Sequence, residues 1–300
     1  MTFQEKLLQI LTKEQIISEE PMSRHTTFRV GGCADFYLKP KEEQVSEVMK
    51  LCHAEQMPVQ IIGNGSNLLV GDKGIRGVVL EIGSMLSGIS VENGRIYAQA
   101  GATLARVSQE AAKAGLTGME FASGIPGTVG GAVVMNAGAY GGEIKDVMEY
   151  AVILEEDGSL KEYTPEELEL SYRHSIVPQI HGIVLKAVFR LPEGDKEQIR
   201  GRMDELRRQR TEKQPLEFPS AGSTFKRPEG YFAGKLIMDA GLRGYRVGDA
   251  QVSEKHCGFV INRGQATAAD IRQLMEDVRV IVKQQFDVEL EPEVKMLGEF

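Results

Sequence analysis

The sequence predicts an α+β fold. Helical and strand patterns are mixed along the 300 residues without the regular strand–helix–strand repeats of a doubly wound sheet. At about 150 residues per domain, this length gives one large or two modest domains. The best linker candidate is the turn-forming sequence PEGD at residues 192–195.

The first third of the chain shows helix and strand patterns in clear order. Thr2 and Glu5 form a capping box for a first helix that is expected to reach Lys13. Apolar residues recur at helical spacing within 41–55, which predicts a second helix with Cys52 in its core face. Then follow strands over 59–62 and 77–82, a hairpin of 89–92 and 95–99 around Asn-Gly, and a helix over 103–114 ended by Gly115.

The rest of the chain continues the mixed pattern. A long helix over 268–286 carries its apolar residues on one stripe. Residues 288–296 alternate apolar and charged side chains, so Glu293 is expected on the polar face of a strand. Between them we expect a hairpin of 148–154 and 160–163, a short helix from Thr164, a strand over 183–191, and helices over 196–210 and 232–240.

Composition excludes several classes of protein. The chain has 43 acidic and 35 basic residues and no basic cluster, which argues against nucleic-acid or anionic-membrane binding. No stretch approaches the roughly 20 apolar residues of a membrane span, and the N-terminus is no signal peptide, so a cytoplasmic protein is expected. Its three cysteines are scattered, and His256-Cys257 cannot chelate a metal alone, so no disulfide or metal site is expected.

Two glycine-rich segments suggest a ligand site. The sequence GNGSN at 63–67 follows a strand, and nine glycines lie among the 28 residues 115–142. Neither a Rossmann nor a P-loop fingerprint is present. Bare backbone N–H groups in such turns bind phosphate oxygens, so we expect the N–H groups of 63–67 and 124–131 to face a pyrophosphate. The alternative is that both segments are merely tight turns between packed strands.

Six motifs in fixed order give the chain a specific resemblance. They are RHTTFRVGG (24–32), IIGNGSNLLV (61–70), EFASGIPGTVGGAVVMNAGAYGGEI (120–144), SYRHS (171–175), PSAGSTFKRP (219–228) and LEPEV (290–294). Over residues 20–300 the chain resembles the UDP-N-acetylenolpyruvoylglucosamine reductase family, flavoenzymes of bacterial peptidoglycan precursor synthesis. The resemblance implies an N-terminal helix in 1–20, a vanillyl-alcohol-oxidase (PCMH-type) FAD-binding domain over 21–192 and a smaller substrate domain over 193–300.

The resemblance also implies chemistry and a site. Family members reduce the enolpyruvyl ether of UDP-N-acetylglucosamine to UDP-N-acetylmuramate, with noncovalent FAD and with NADPH as co-substrate, and no obligate protein partner is inferred. By motif match, Arg173, Ser223 and Glu293 are the catalytic candidates: a cation, a proton donor and an acid for the charge that develops on the substrate. The cofactor-binding candidates are Gly63, Asn64, Gly65, Ser66, Asn67, Ser123, Gly124, Gly127, Thr128, Gly130, Gly131, Ala132, Asn136 and Gly138.

Three further basic residues are candidates for substrate binding. Arg210 and Lys213 match a basic pair of the family and suit a diphosphate, although both also suit the solvated end of a helix. Lys226 would bring a positive charge near the Ser223 hydroxyl. The chain resembles the short form of the family, since it has no inserted tyrosine-bearing loop, and no tyrosine is carried over.

Two alternative functions stay open at this point. One is an FAD-dependent oxidase of the same superfamily, in which His25 or Cys33 would be candidates for covalent flavin attachment. The other is a non-catalytic nucleotide-sugar binding protein that keeps the fold. Acid precipitation of the purified protein, which releases noncovalent flavin, discriminates the first, and NADPH turnover discriminates the second.

Overall fold

The computed structural model describes residues 1–300, and its seven helices and sixteen strands confirm the α+β prediction. The helices are α1 (Phe3–Leu7), α2 (Glu42–Ala54), α3 (Leu104–Ala114), α4 (Val129–Val134), α5 (Lys196–Lys213), α6 (Ala233–Asp239) and α7 (Ala268–Phe286). The strands are β1 (Ile16–Pro21), β2 (Cys33–Leu38), β3 (Val59–Ile62), β4 (Leu68–Val70), β5 (Ile75–Glu81), β6 (Ile89–Glu92), β7 (Arg95–Gln99), β8 (Gly138–Ala139), β9 (Gly142–Glu143), β10 (Met148–Leu154), β11 (Leu160–Tyr163), β12 (Ile183–Arg190), β13 (Arg246–Val247), β14 (Ala250–Val252), β15 (Val260–Asn262) and β16 (Lys295–Leu297).

The chain divides into two compact units made of interleaved segments. Unit 1 comprises residues 1–18, 36–64 and 77–210, and unit 2 comprises residues 19–35, 65–76 and 211–300. Compact packing therefore groups two N-terminal segments with the C-terminal third of the chain. We expected a helix in 1–20 followed by contiguous domains over 21–192 and 193–300. That division stays a prediction about which part of the chain binds the cofactor and which part binds the substrate.

The centre of unit 1 is a five-stranded antiparallel sheet in the order β11-β10-β12-β7-β6. Both hairpins predicted from turn sequences are present, with Glu92 paired to Arg95 and Leu154 paired to Leu160. Helix α4 packs on β12 and β7, and its residue Val133 is fully buried. This packing fixes the position of α4, which lies within the glycine-rich segment 115–142.

A second sheet has the strand order β1-β2-β5-β3, in which β3 and β5 are parallel. The helix α2 runs from Glu42 to Ala54 as the apolar spacing predicts, and Cys52 is 1% exposed. Helix α3 begins at a Thr103 cap and ends at Gly115, whose φ of 75° is the left-handed conformation typical of a helix C-terminus. These boundaries confirm the sequence prediction for both helices.

Unit 2 is built around α7 and a three-stranded antiparallel sheet in the order β13-β14-β15. The predicted apolar stripe of α7 is its buried face, and the carboxylate of Asp72 accepts hydrogen bonds from the N–H groups of Ala268 and Ala269 at its first turn. Strand β4, from an N-terminal segment, pairs in parallel with β16 near the C-terminus. Phe28 and Leu69, also from N-terminal segments, are fully buried in the core of this unit.

Several predicted elements differ from the structure. The first helix ends at Leu7 rather than Lys13, and residues 165–169 form turns rather than a helix. The strand expected over 288–296 is wrong except for the start of β16, since before β16 this stretch pairs only in the isolated bridge of Pro292 with Phe225, and proline has no N–H for a continuous ladder. Helix α5 continues to Lys213.

None of the seven helices combines the length and the apolar character that crossing a bilayer requires.

Candidate functional site

The loop after β3 and the segment before α4 approach each other closely in unit 1. A Cβ atom on Gly63 would lie 2.2 Å from Thr128 Oγ1, so this approach requires glycine. Asn64 Nδ2 donates to the carbonyl oxygen of Pro126 over 2.7 Å and ties the two segments together. Thr128 is 4% exposed and its hydroxyl has no partner. These four residues are termed the glycine cradle.

The backbone around the cradle offers a run of three successive unpaired donors in the loop after β3. The N–H groups of Asn64, Gly65 and Ser66 donate to no group of the protein, which leaves three successive donors for an anion. The N–H groups of Val129 and Gly130, by contrast, donate to Ala102 and Ala100 over 2.8 Å. The expectation that N–H groups along all of 124–131 face a pyrophosphate is therefore wrong at these two positions.

Two glycines near the cradle differ in whether the surrounding protein leaves room for a side chain. Gly65 has a φ of 59°, and a Cβ there would lie 1.9 Å from the carbonyl oxygen of His25. The protein itself therefore requires glycine at 65. A Cβ on Gly131 would meet only Thr128 Oγ1, at 3.7 Å, so the fold leaves room for a side chain at 131.

Other predicted cofactor residues serve the protein's own packing. Asn136 is fully buried, and its amide donates to Glu143 and to the Ser171 carbonyl and accepts from the Lys145 N–H. Its side chain is therefore fully used within unit 1. Three other predicted residues make hydrogen bonds within the protein: Ser123 Oγ donates to Glu120 O, Gly127 O accepts from Leu104 N, and Gly138 O accepts from Arg173. Gly124 lies against the Arg210 side chain, and Ala132 is buried in α4.

Arg173 lies in a tight turn of unit 1 beside an acidic residue. Its φ is 55°, and Ser171 and His174 exchange backbone hydrogen bonds across the turn. Its Nη2 donates to Gly138 O over 3.4 Å, and its Cζ lies 5.1 Å from the centre of the Tyr172 ring. Sequence reasoning missed Glu143 as a neighbour of this guanidinium, although Glu143 belongs to one of the six motifs.

The Glu143 carboxylate is held in its charged form. Partial burial opposes the charge, but hydrogen bonds from Lys145 and Asn136 and the charges of Lys145 and Arg173 outweigh it and lower the pKa of Glu143 below 4.5. The result is a fixed negative charge next to Arg173. This carboxylate compensates part of the positive charge and holds Asn136, which in turn holds the Ser171 carbonyl of the Arg173 turn.

Arg210 is a half-buried cation without an acidic partner. Its Cδ lies 3.0 Å and its Nη1 3.3 Å from the Cβ position of Gly124, against the glycine-rich segment. Burial lowers the pKa of Arg210, and Tyr140 acts in the opposite direction. An anion beside a desolvated guanidinium that has no carboxylate partner would compensate its charge. Lys213, three residues further, is exposed at the end of α5.

In unit 2 the predicted proton donor and the predicted acid lie on paired segments. Ser223 is exposed, its hydroxyl has no protein partner, and its backbone bridges to Phe259. The next residue, Thr224, is 1% exposed and accepts the Glu293 N–H over 2.9 Å. The structure therefore brings Ser223 and Glu293 to neighbouring positions although they are seventy residues apart in sequence.

Two further contacts hold the Glu293 segment. Asn67 Nδ2 donates to the Glu293 carbonyl over 3.0 Å, so this predicted cofactor residue also positions the predicted acid. The Lys226 ammonium lies 2.6 Å from Glu291 Oε1, which gives that ammonium a partner other than Ser223.

Comparison with known proteins decides the family. Over its whole length the chain is 60% identical to a protein of Agathobacter rectalis named UDP-N-acetylenolpyruvoylglucosamine reductase, of which it covers 99%. The chain belongs to this reductase family. A reductase of the same name from Lachnoclostridium phytofermentans is 53% identical over 98% of the chain and 97% of the relative. The crystal structure of the Thermus caldophilus reductase matches with a TM-score of 0.82 at 38% identity, covering 94% of this chain and all of that one.

Sequence profiles locate the family's two domains on the chain. An FAD binding domain matches residues 34–164, and the UDP-N-acetylenolpyruvoylglucosamine reductase C-terminal domain matches residues 214–297. The chain is thus an oxidoreductase with an FAD-binding domain that contains the glycine cradle. Within unit 1, the buried, unpartnered Thr128 hydroxyl and the unpaired N–H group of Asn64 fit the phosphate oxygens of such a dinucleotide.

Proposed function

We propose that the chain reduces UDP-N-acetyl-3-O-(1-carboxyvinyl)glucosamine to UDP-N-acetylmuramate for peptidoglycan precursor synthesis, with FAD as noncovalent cofactor and NADPH as co-substrate. The observation that carries the proposal is the exposed Ser223 hydroxyl without a protein partner, next to the Glu293 segment. A hydroxyl so exposed is free to reach a substrate atom.

The glycine cradle and the 63–67 loop would hold the cofactor. Thr128 Oγ1 and the N–H groups of Asn64, Gly65 and Ser66 are donors that would bind its phosphate oxygens. When bound and reduced by NADPH, the flavin would supply the hydride that adds to the terminal carbon of the substrate's alkene. Gly63 and Gly131 keep the space next to Thr128 free of side chains.

Arg173 stabilises the charge that this addition creates. Negative charge builds on the neighbouring carbon and its carboxylate, which together become a dianion. The guanidinium offers donors in a fixed fork that suits a carboxylate, and the tight turn keeps it in place. Glu143 limits the net positive charge next to Arg173 when no substrate is bound.

Ser223 completes the reduction by donating its proton to the carbon that bears the carboxylate. Hydride and proton together add the two hydrogens that turn the enol ether into the lactyl ether. The carbanion is a strong base, so a weakly acidic hydroxyl suffices if it is well positioned. Glu293 is the acid that assists at the developing charge, and its backbone bond to Thr224 keeps it beside Ser223.

Arg210 and Lys213 bind the diphosphate of the substrate. The support for this role is the half-buried, unpaired charge of Arg210, which an anion would compensate. Lys213 is exposed, so its contribution is expected to be the smaller of the two. Lys226 is a further candidate for the substrate, but it would first have to leave Glu291.

Anaerobic mixing of the purified protein with NADPH and then with the enolpyruvyl substrate tests this function. The flavin band should bleach with NADPH and return when the substrate is added, with UDP-N-acetylmuramate as product. A band that returns only with O₂ would support the oxidase alternative, and no bleaching would support the non-catalytic binding protein. Yellow supernatant after acid precipitation would show that neither His25 nor Cys33 is bound covalently to the flavin.

A further inference from the structure

Two consecutive aromatic side chains of unit 2 are exposed. Tyr231 is 48% and Phe232 is 60% exposed, and every other aromatic residue of unit 2 is at least partly buried. The Tyr231 side chain has no partner, and the buried residues of the following helix α6 are Ala233, Leu236 and Ile237. The fold therefore does not need either ring for its core, and adjacent exposed rings are a feature of binding surfaces.

A guanidinium lies directly on this pair. Arg227 Cζ is 4.0 Å from the centre of the Phe232 ring, and Arg227 Nε donates to the Tyr231 carbonyl over 3.3 Å. The arginine thereby contacts both residues of the aromatic pair. It also brings a charge that suits a phosphate next to the two rings.

The loop is tied to the segment that carries Ser223. Thr224 N–H donates to the Gly258 carbonyl over 2.8 Å, and the Cβ position of Gly234 lies 3.1 Å from Gly258 N. Arg227 follows Ser223 by four residues, which span at most about 14 Å of chain. The segment that carries Ser223 and the helix that follows the rings thus both contact Gly258 of unit 2.

We propose that Tyr231 and Phe232 form the platform on which the pyrimidine ring of the nucleotide substrate stacks, with Arg227 on the adjoining phosphate. This inference rests on the proposed function, in which the substrate carries a uracil at the end opposite to its reacting carbon. In the substrate, a sugar and a diphosphate separate the uracil from the reacting carbon. In the protein, the chain from Ser223 to Arg227 separates the Ser223 hydroxyl from the two rings in the same way. Stacking on aromatic rings holds a base through its flat face.

Calorimetric titration of the FAD-loaded protein with UDP and with inorganic pyrophosphate tests the platform. The Tyr231→Ala and Phe232→Ala variants should each bind UDP roughly 5- to 150-fold more weakly, the range for one base on one aromatic ring. Pyrophosphate, which has no base, should bind all of them as it binds the wild type. Tyr231→Phe and Phe232→Tyr keep a ring and should keep the UDP affinity. Leu160→Ala removes an equally exposed apolar side chain from unit 1 and should change neither titration.

Turnover separates this inference from the function on which it rests. With the platform removed, KM for the nucleotide sugar should rise while kcat and flavin bleaching by NADPH stay unchanged. Unchanged UDP affinity in the Tyr231→Ala, Phe232→Ala double variant would overturn the platform even if the wild type reduces the substrate. A double variant whose sedimentation changes while its UDP affinity does not would assign the rings to self-association and overturn it equally. Failure of the wild type to reduce the enolpyruvyl substrate would instead overturn the proposed function.

Discussion

Arg173 holds a backbone conformation that a residue with a side chain rarely adopts. A φ of 55° costs a non-glycine residue on the order of 1–3 kcal/mol. It persists because neighbouring contacts fix the turn: Ser171 and His174 bond to each other, and the Ser175 hydroxyl donates to Val134 O over 2.7 Å. The same conformation aims the guanidinium at the Gly138 carbonyl, so the strain and the placement of the charge belong together.

Arg173→Ala should therefore slow substrate reduction by roughly 10²–10³-fold, as loss of one charge-stabilising donor does. Rapid mixing of the NADPH-reduced protein with substrate measures this step by the return of the flavin band. Arg173→Gly should lose as much activity but unfold at a higher temperature than Arg173→Ala, because glycine adopts the positive φ without strain. An unchanged rate of reoxidation in both variants would make Arg173 a structural residue.

Ser223→Ala should slow the same step by roughly 10²–10⁴-fold, because it removes a positioned proton donor. Bleaching of the flavin by NADPH needs no proton from Ser223 and should stay near the wild-type rate. Ser223→Cys should keep more activity than Ser223→Ala, because a thiol is the better acid. Equal slowing of bleaching and reoxidation would contradict the proton-donor role.

Glu143 should make the stability of the protein depend on pH in the acid range. Its pKa in the folded state lies below the ordinary 4.5, so the folded protein holds the charged form more tightly than the unfolded chain. That contribution is complete above about pH 4.5 and is lost as the pH falls through the lower folded-state value. Glu143→Gln should thus unfold at a lower temperature than wild type at pH 7, and calorimetry should show the difference shrinking below pH 4.5. A difference that stays constant down to pH 3 would show that charge is not its cause.

At the scale of elements, the glycines of the loop after β3 and of α4 divide into glycines that the fold needs and glycines that a ligand needs. A side chain at Gly65 would meet the His25 carbonyl, and one at Gly130 would meet Ala100 at 3.1 Å. Only at Gly131 is the space next to the cradle open. Substitution of Gly65 or Gly130 is therefore expected to disturb folding, whereas substitution of Gly131 tests cofactor binding.

Gly131→Leu should fold and be colourless, because the new side chain would fill the space next to Thr128. Thr128→Val, which removes the unpartnered hydroxyl at equal size, should bind FAD more weakly and unfold at about the same temperature as the wild type without flavin. Absorbance at the flavin band and thermal unfolding without added FAD measure both effects. Full FAD content in Gly131→Leu would contradict the proposed position of the cofactor.

Local sequence patterns predict the elements of this chain better than its long-range contacts. Periodicity, caps and Asn-Gly turns predict α2, α7 and the β6–β7 hairpin because their causes lie within a few residues. The motifs likewise point to the glycine cradle. The bond from Asn67 to Glu293 joins residues 226 positions apart, and no local pattern contains it. The hydrogen bond from the Asn136 amide to the Ser171 carbonyl escaped prediction for the same reason, since it joins residues 35 positions apart.

At the scale of the whole molecule, the interleaving of segments makes unit 2 depend on the N-terminal part of the chain. Phe28, Val30 and Leu69 are at most 5% exposed and belong to the core around α7. Burial of such side chains stabilises by roughly 1.5–3 kcal/mol each, so the three together approach the 5–15 kcal/mol that stabilise a whole domain. The N-terminal segments also supply strand β4, which pairs with β16, and the Asp72 carboxylate, which caps α7.

A fragment of residues 193–300 should consequently fail to fold alone, although it contains the complete C-terminal family domain at 214–297. Without the segments 19–35 and 65–76, the apolar stripe of α7 is partly uncovered and β16 loses its only strand partner. Circular dichroism should show no cooperative thermal transition for the fragment. Co-expression with residues 1–192 supplies the missing segments and should restore a protease-resistant complex that binds FAD. A cooperative transition of the isolated fragment would mean that the C-terminal domain folds independently, and that the N-terminal segments only dock onto a core that is already formed.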